Sequence, residues 1–99
     1  MAVIGTFKRQ GDVLAGEIRT LTFQVQNVTV RKVEKKGETS PDYRVFVAGA
    51  DIGAAWERTA KESGTVYLSV KIDDPSLAAP INANLVQKSG DDYELIWSR

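Results

Sequence analysis

The 99-residue sequence contains no cysteine and no histidine. Without cysteine the chain has no disulfide framework and no thiolate to serve as nucleophile or metal ligand. Without histidine it lacks the commonest general base and the commonest transition-metal ligand. Only carboxylates, lysine, tyrosine and serine remain for chemistry. We therefore expect a protein that is not an enzyme, with no catalytic residue, no metal site and no cofactor.

An excess of either charge is also lacking, since 13 basic residues balance 13 acidic ones. Proteins dedicated to duplex DNA are usually clearly basic, because phosphate neutralisation dominates their affinity. No run approaches the roughly 18 apolar residues of a membrane span. The first residues show neither the basic nor the apolar region of a signal peptide. We expect a cytoplasmic protein that does not enter a membrane, with a local basic patch at most.

Apolar and polar residues alternate most strictly between Gly64 and Asp73. This pattern is typical of a half-buried β-strand, and similar segments recur along the chain, separated by glycine-, proline- and aspartate-containing turns. The predicted strands or strand-containing segments are Val3–Arg9, Val13–Arg19, Leu21–Val33, Tyr43–Ala48, Asp51–Ser63, Thr65–Ile72, Ile81–Val86 and Tyr93–Ser98.

Two segments break the simple alternation. In Leu21–Val33 the apolar positions change parity, which predicts a bulge near Gln26-Asn27 because a one-residue shift exchanges the two faces of a strand. Asp51–Ser63 fits either a strand or a short helix, and we favour the strand because its neighbours are extended. The charged stretch Glu34–Asp42 is predicted to be a loop.

Seven to eight short strands predict a single all-β domain over residues 1–99, built as a small antiparallel barrel or curled sheet. A short helix within residues 51–63 stays open as the alternative. Large aromatic side chains dominate burial in small domains. The residues expected in the core on this ground are Phe7, Phe23, Phe46, Trp56 and Trp97.

The polar faces of the predicted strands carry aromatic and basic residues together. Tyr67 and Lys71 share the polar face of one strand, Tyr43 and Arg44 begin another, and Arg58 lies between them in the chain. Bases stack on exposed rings while lysine and arginine follow the backbone of single-stranded nucleic acid. These five residues therefore predict a non-catalytic module that binds single-stranded nucleic acid.

A second hypothesis is a protein-interaction or dimerisation module. An open sheet exposes an edge strand that pairs with a partner or with a second copy to form a homodimer. The long stretch Phe23–Val33 is the candidate edge. The adjacent aspartates Asp73-Asp74 and Asp91-Asp92 match no calcium-loop spacing, and we interpret them as solvated turn residues.

Several short segments together resemble a known family. They are Ile4-Gly5-Thr6-Phe7, Ile18-Arg19-Thr20-Leu21, Pro41-Asp42-Tyr43-Arg44-Val45-Phe46, Ile52-Gly53-Ala54-Ala55-Trp56, Tyr67-Leu68-Ser69-Val70-Lys71, Asp73-Asp74-Pro75 and Leu95-Ile96-Trp97-Ser98-Arg99. Over nearly the whole chain they resemble the bacterial domain of unknown function 736 family. That resemblance implies a small, soluble, uncharacterised protein, often encoded among plasmid and conjugative-element genes. It supplies no catalytic residues, and it favours a DNA-related role only by association.

Overall fold

The alternating segments of the sequence form eight strands, each hydrogen-bonded to the next along the chain. The computed structural model describes residues 2–21 and 24–97. The last strand pairs antiparallel with the first, so the sheet closes into a barrel. The strands are Ala2–Gln10 (β1), Val13–Arg19 (β2), Gln24–Lys32 (β3), Tyr43–Val47 (β4), Ala50–Thr59 (β5), Val66–Ile72 (β6), Ile81–Ser89 (β7) and Asp92–Trp97 (β8).

Barrel closure decides between the alternatives left open by the sequence. Residues 50–59 are a strand, which confirms the extended interpretation of that segment and removes the helix. The prediction of an exposed edge at Phe23–Val33 is wrong, because β3 is hydrogen-bonded to β2 on one side and β4 on the other. A closed barrel leaves no strand edge for a partner to extend. No helix long and apolar enough to cross a membrane occurs in the described part of the chain.

The inward-facing side chains fill the barrel. The largest of those that are almost completely buried are Ile18, Val28, Val30, Val45, Ile72, Leu85 and Leu95. An eight-stranded barrel is just wide enough for its interior to be packed by side chains. Phe7 lies in this core as predicted, and Trp97 packs against it. The core prediction is wrong for Phe46 and Trp56, which are half-buried on the outer face, and Phe23 lies outside the described residues.

A bulge lies where the hydrophobic parity changes in β3. Gly16 of β2 pairs with Val28, but Ile18, two residues on, pairs with Val25, so β3 carries one extra residue. Asn27 takes up the distortion with a φ of 59°, a conformation that asparagine adopts more readily than most residues. The predicted bulge at Gln26-Asn27 is confirmed, and it keeps Val25, Val28 and Val30 all facing inward.

The hairpin order sorts the connections to two ends of the barrel. One end, which we call the loop mouth, holds the β1–β2 turn, residues 33–42, residues 60–65 and the β7–β8 turn. The other end holds the start of β1, the end of β8, residues 20–21, the β4–β5 connection and residues 73–80. Functional side chains can therefore lie on the outer wall or at either end, and the packed interior separates these places.

Candidate functional site

The pleat of β4 divides the five residues predicted to bind nucleic acid. Arg44 pairs with Ala54 across β4–β5, and Ala54 pairs with Lys71 across β5–β6, so both cations face outward. Arg58 and Tyr67 are direct partners on the same outer face. Tyr43 follows the opposite parity and packs against the core. The structure thus brings four of the five residues to one surface and places Tyr43 on the inner side.

The outer face of β3–β6 carries cations from every strand. Arg31, Arg44, Ala54 and Lys71 are consecutive cross-strand partners in one transverse row. With neighbouring strands about 4.8 Å apart, this row spans roughly 14 Å of surface. We call this surface the basic wall. It consists of the cations Arg31, Arg44, Arg58 and Lys71 with the rings of Phe46, Trp56 and Tyr67.

Asp51 is the one carboxylate that the described strands place on the basic wall. The Arg44 guanidinium donates to it twice, from Nε to Oδ2 at 2.6 Å and from Nη2 to Oδ1 at 3.2 Å. Gly53 N–H also donates to Asp51 Oδ1, at 3.3 Å. Arg31, Arg58 and Lys71 form no ion pair within the described ranges. Three wall cations are therefore available to a ligand, whereas Arg44 is engaged in a bidentate pair.

Aromatic side chains lie between these cations. Trp56 pairs with Ser69, which follows Tyr67 by two residues along β6, so the two rings are diagonal neighbours on the sheet, about 7–8 Å apart at Cα. The Trp56 indole N–H donates to the Thr39 carbonyl at 3.0 Å, which fixes the ring against residues 33–42. Tyr67 is half-buried and lies beside Asn84 and Val86. Sequence reasoning missed Trp56 as a surface residue because a large aromatic is usually assigned to the core.

Asp42 holds the end of the 33–42 connection against β5. Its Oδ2 accepts from the Glu57 N–H at 2.9 Å, and its Oδ1 lies 3.5 Å from Lys35 Nζ. The Glu57 amide is the main cause of a lowered pKa of Asp42; partial burial opposes this, and Lys35 and Arg58 add to the lowering. Asp42 therefore stays ionised at neutral pH and supports the loop that covers Trp56.

We expect Asp42→Asn to destabilise the protein by about 1–2 kcal/mol at pH 7, because a charge-assisted hydrogen bond is lost. Since the folded-state pKa of Asp42 is depressed, its contribution is complete above the unfolded-state pKa and is lost as pH falls through the folded pKa. Urea unfolding of the wild type and of Asp42→Asn should thus show a difference in the free energy of unfolding that becomes smaller as the pH is lowered. Asp12→Asn, in the β1–β2 turn, is the control and should leave the free energy of unfolding unchanged. A difference between wild type and Asp42→Asn that does not vary with pH would contradict this account.

The loop mouth contains the second candidate site, a cavity of about 250 Å³. Inward-facing Leu14, Leu68 and Leu85 line its apolar part. Its polar rim is formed by side chains that also face inward but lie beyond the apolar core, near the strand ends. These are Arg9, Lys32, Tyr43, Glu57 and Tyr93, with Asp12 at the edge. Tyr67 also contributes to the lining, so the cavity adjoins the basic wall.

Comparison with known proteins adds one finding to this geometry. The sequence model of a family described as "Protein of unknown function (DUF736)" matches residues 3–99. The chain belongs to the DUF736 family. The resemblance seen in the sequence is thereby confirmed over nearly its full length. No curated protein and no solved structure matched the chain. Membership of DUF736 brings no established activity, so the site's chemistry carries the functional argument for this member.

The two acidic pairs of this DUF736 chain lie at strand ends: Asp73-Asp74 follows β6 and Asp91 lies in the β7–β8 turn, but the turn interpretation is wrong for Asp92, which begins β8. Asp74 Oδ2 accepts from both the N–H and the hydroxyl of Ser76, at 2.9 and 2.5 Å, and these bonds lower the pKa of Asp74. That geometry agrees with the interpretation of Asp73-Asp74 as turn residues. Among residues 2–21 and 24–97, no three acidic side chains gather as a group able to hold a metal ion.

Proposed function

We propose that this protein is a non-catalytic module that binds single-stranded nucleic acid on its basic wall. The observation that carries the proposal is the charge of that surface. Among the described strands, the outer face of β3–β6 holds four cations, and the single carboxylate there is engaged by Arg44. A chain of zero net charge thus concentrates positive charge on one side.

The opposite side of the barrel has a different character. On β1 and β8, Lys8 lies 3.8 Å from Asp92, and on β2 Arg19 lies 3.8 Å from Glu17. Paired charges of this kind are neutralised locally and attract phosphate weakly. Aromatic side chains do not lie beside the cations on β8, where the outward-facing apolar residue is Ile96. The contrast supports the basic wall as the binding face.

The wall also has the two components that single strands require. Tyr67 and Trp56 offer ring surface on which bases stack, and stacking is tolerant of sequence because every base has a π-face. Arg31, Arg58 and Lys71 lie around these rings at positions suited to follow a phosphate backbone. The alternative of a module that pairs through a sheet edge has no free strand to use among the described residues.

The test is a fluorescence-anisotropy titration of a labelled single-stranded oligonucleotide at low salt. Three phosphate contacts predict a slope of log affinity against log salt of roughly −2. Tyr67→Ala should weaken binding about tenfold through lost stacking, and Arg58→Gln with Lys71→Gln should weaken it further and flatten the slope. Lys8→Gln, on the opposite side, is the matched control and should change affinity little.

Asp51→Asn is expected to strengthen oligonucleotide binding, unlike the other wall variants. The substitution removes the wall's carboxylate and releases Arg44 from its bidentate pair. A favourable contribution of about 1 kcal/mol for one exposed charge predicts a roughly fivefold gain in affinity. Absence of binding by the wild-type chain even at high protein concentration would end the proposal. Equal affinities for wild type and all wall variants would show that binding occurs elsewhere.

A further inference from the structure

The aromatic and charged side chains at the rim of the loop mouth come from different strands around the barrel. Tyr43 lies on β4 and Tyr93 on β8. In a closed ring of eight strands these two are four strands apart in either direction, so the rings enter the cavity from opposite walls. Arg9 on β1 and Glu57 on β5 are likewise opposite. Lys32 on β3 lies two strands from Arg9, about 10 Å away along the ring.

The charged groups of this rim are not neutralised by ion pairs in the described part of the chain. No ion pair within residues 2–21 and 24–97 involves Arg9, Lys32, Glu57 or Asp12. Arg9 is held by the adjoining turns instead: its Nε donates to the Gly11 carbonyl at 3.3 Å, and its backbone N–H donates to the Asp91 carbonyl at 2.8 Å. Arg9 and Glu57 thus lie on opposite walls of the cavity, Lys32 lies two strands from each of them, and Asp12 follows Arg9 in the β1–β2 turn.

We propose that the loop mouth binds one nucleoside monophosphate. The flat base inserts between Tyr43 and Tyr93 over the apolar floor, as aromatic rings favour stacked or edge-to-face neighbours. Arg9 and Lys32 bind the phosphate on the β1–β3 side, through charge-assisted hydrogen bonds. Glu57 on the far side accepts from an amino group of the base. This site goes beyond the proposed function, since it needs neither the basic wall nor a polymer.

The size and position of the cavity agree with a ligand of that class. Barrel mouths are preferred sites for small ligands, and typical pockets measure about 300–1,000 Å³. At about 250 Å³ the cavity is slightly smaller, which suits a single base with its phosphate left at the open rim. The mixed lining of rings, cations and carboxylates matches the base, the phosphate and the donors of a nucleotide together. A purely apolar ligand would leave the charged rim unused.

The test is a titration of the ¹⁵N-labelled protein with adenosine 5′-monophosphate, followed by backbone amide shifts. Saturable shifts are expected at Arg9, Lys32, Tyr43 and Tyr93. Ribose 5-phosphate lacks the base and adenosine lacks the phosphate, so each should bind at least about tenfold more weakly if both halves of the site contribute. Lys32→Gln should weaken binding of the monophosphate about fivefold or more, whereas Lys8→Gln, outside both the basic wall and the cavity lining, should leave it unchanged.

The outcomes separate this inference from the proposed function. Shifts confined to the basic wall, no saturable shift at millimolar nucleotide, or equal affinities for ribose 5-phosphate and the monophosphate would overturn the mouth site. Oligonucleotide binding that depends on Arg58 and Lys71 would still stand in each of those cases. Saturation at the mouth together with no oligonucleotide binding would support the mouth site and remove the proposed function.

Discussion

Gly16→Ala should lower the free energy of unfolding by about 3 kcal/mol or more, which is a large part of the 5–15 kcal/mol typical of a whole domain. Gly16 pairs with Phe7 across β1–β2. A Cβ built at Gly16 would lie 2.0 Å from the Thr6 carbonyl oxygen and 2.7 Å from Phe7 Cα. Both are backbone atoms, so no rotamer change relieves the overlap and the two strands must separate. Urea unfolding followed by tryptophan fluorescence measures the loss.

Two further variants test the cause of that loss. Gly37→Ala is the matched control, because its Cβ would meet only Ser40 Oγ at 3.6 Å, and it should change stability by less than about 0.5 kcal/mol. Phe7→Leu combined with Gly16→Ala should not restore stability, since the nearest clash is with the backbone rather than with the ring. A Gly16→Ala protein as stable as the wild type would mean that β1 and β2 are farther apart than described.

Strand positions were predictable because alternation has a direct physical cause. A strand with one face in a core and one in water must alternate, and β2 and the Val66–Ile72 stretch follow that rule closely. The bulge in β3 was predictable for the same reason, since only an extra residue returns Val28 and Val30 to the inside after Val25. Closure of the barrel could not be predicted from local sequence patterns, because the pairing of β1 with β8 joins residues nearly a full chain length apart.

In the candidate sites too, some placements follow from local sequence spacing and others depend on which strands pair. That Tyr67 and Lys71 share an outer face followed from spacing alone. The bidentate pair of Arg44 with Asp51 depends on the β4–β5 hairpin, whose turn residues Ala48 and Gly49 both have positive φ. A tight turn at Ala48-Gly49 was the signal that could have brought the two residues together. The cavity of the loop mouth, in contrast, is lined by residues from all eight strands and has no local sequence pattern.

The interior of the barrel depends on a match between one large and two small residues. Phe7 is 5% exposed, and its ring lies over two glycines. A Cβ at Gly5 would meet Phe7 Cε1 at 3.3 Å, and one at Gly16 would meet Cγ at 2.9 Å. Small barrels commonly combine large and small interior residues to fill the available space. Phe7 therefore occupies volume that the two glycines leave open.

Phe7→Ala is consequently expected to cost about 3–5 kcal/mol, the range for removing a buried aromatic ring and leaving a cavity. Phe46→Ala provides the matched comparison, because Phe46 is half-buried on the outer face of β4 and its loss should cost only about 1 kcal/mol. Urea unfolding of the two variants measures the difference directly. Similar losses for both would contradict the assignment of inner and outer faces, on which the basic wall and the loop mouth both depend.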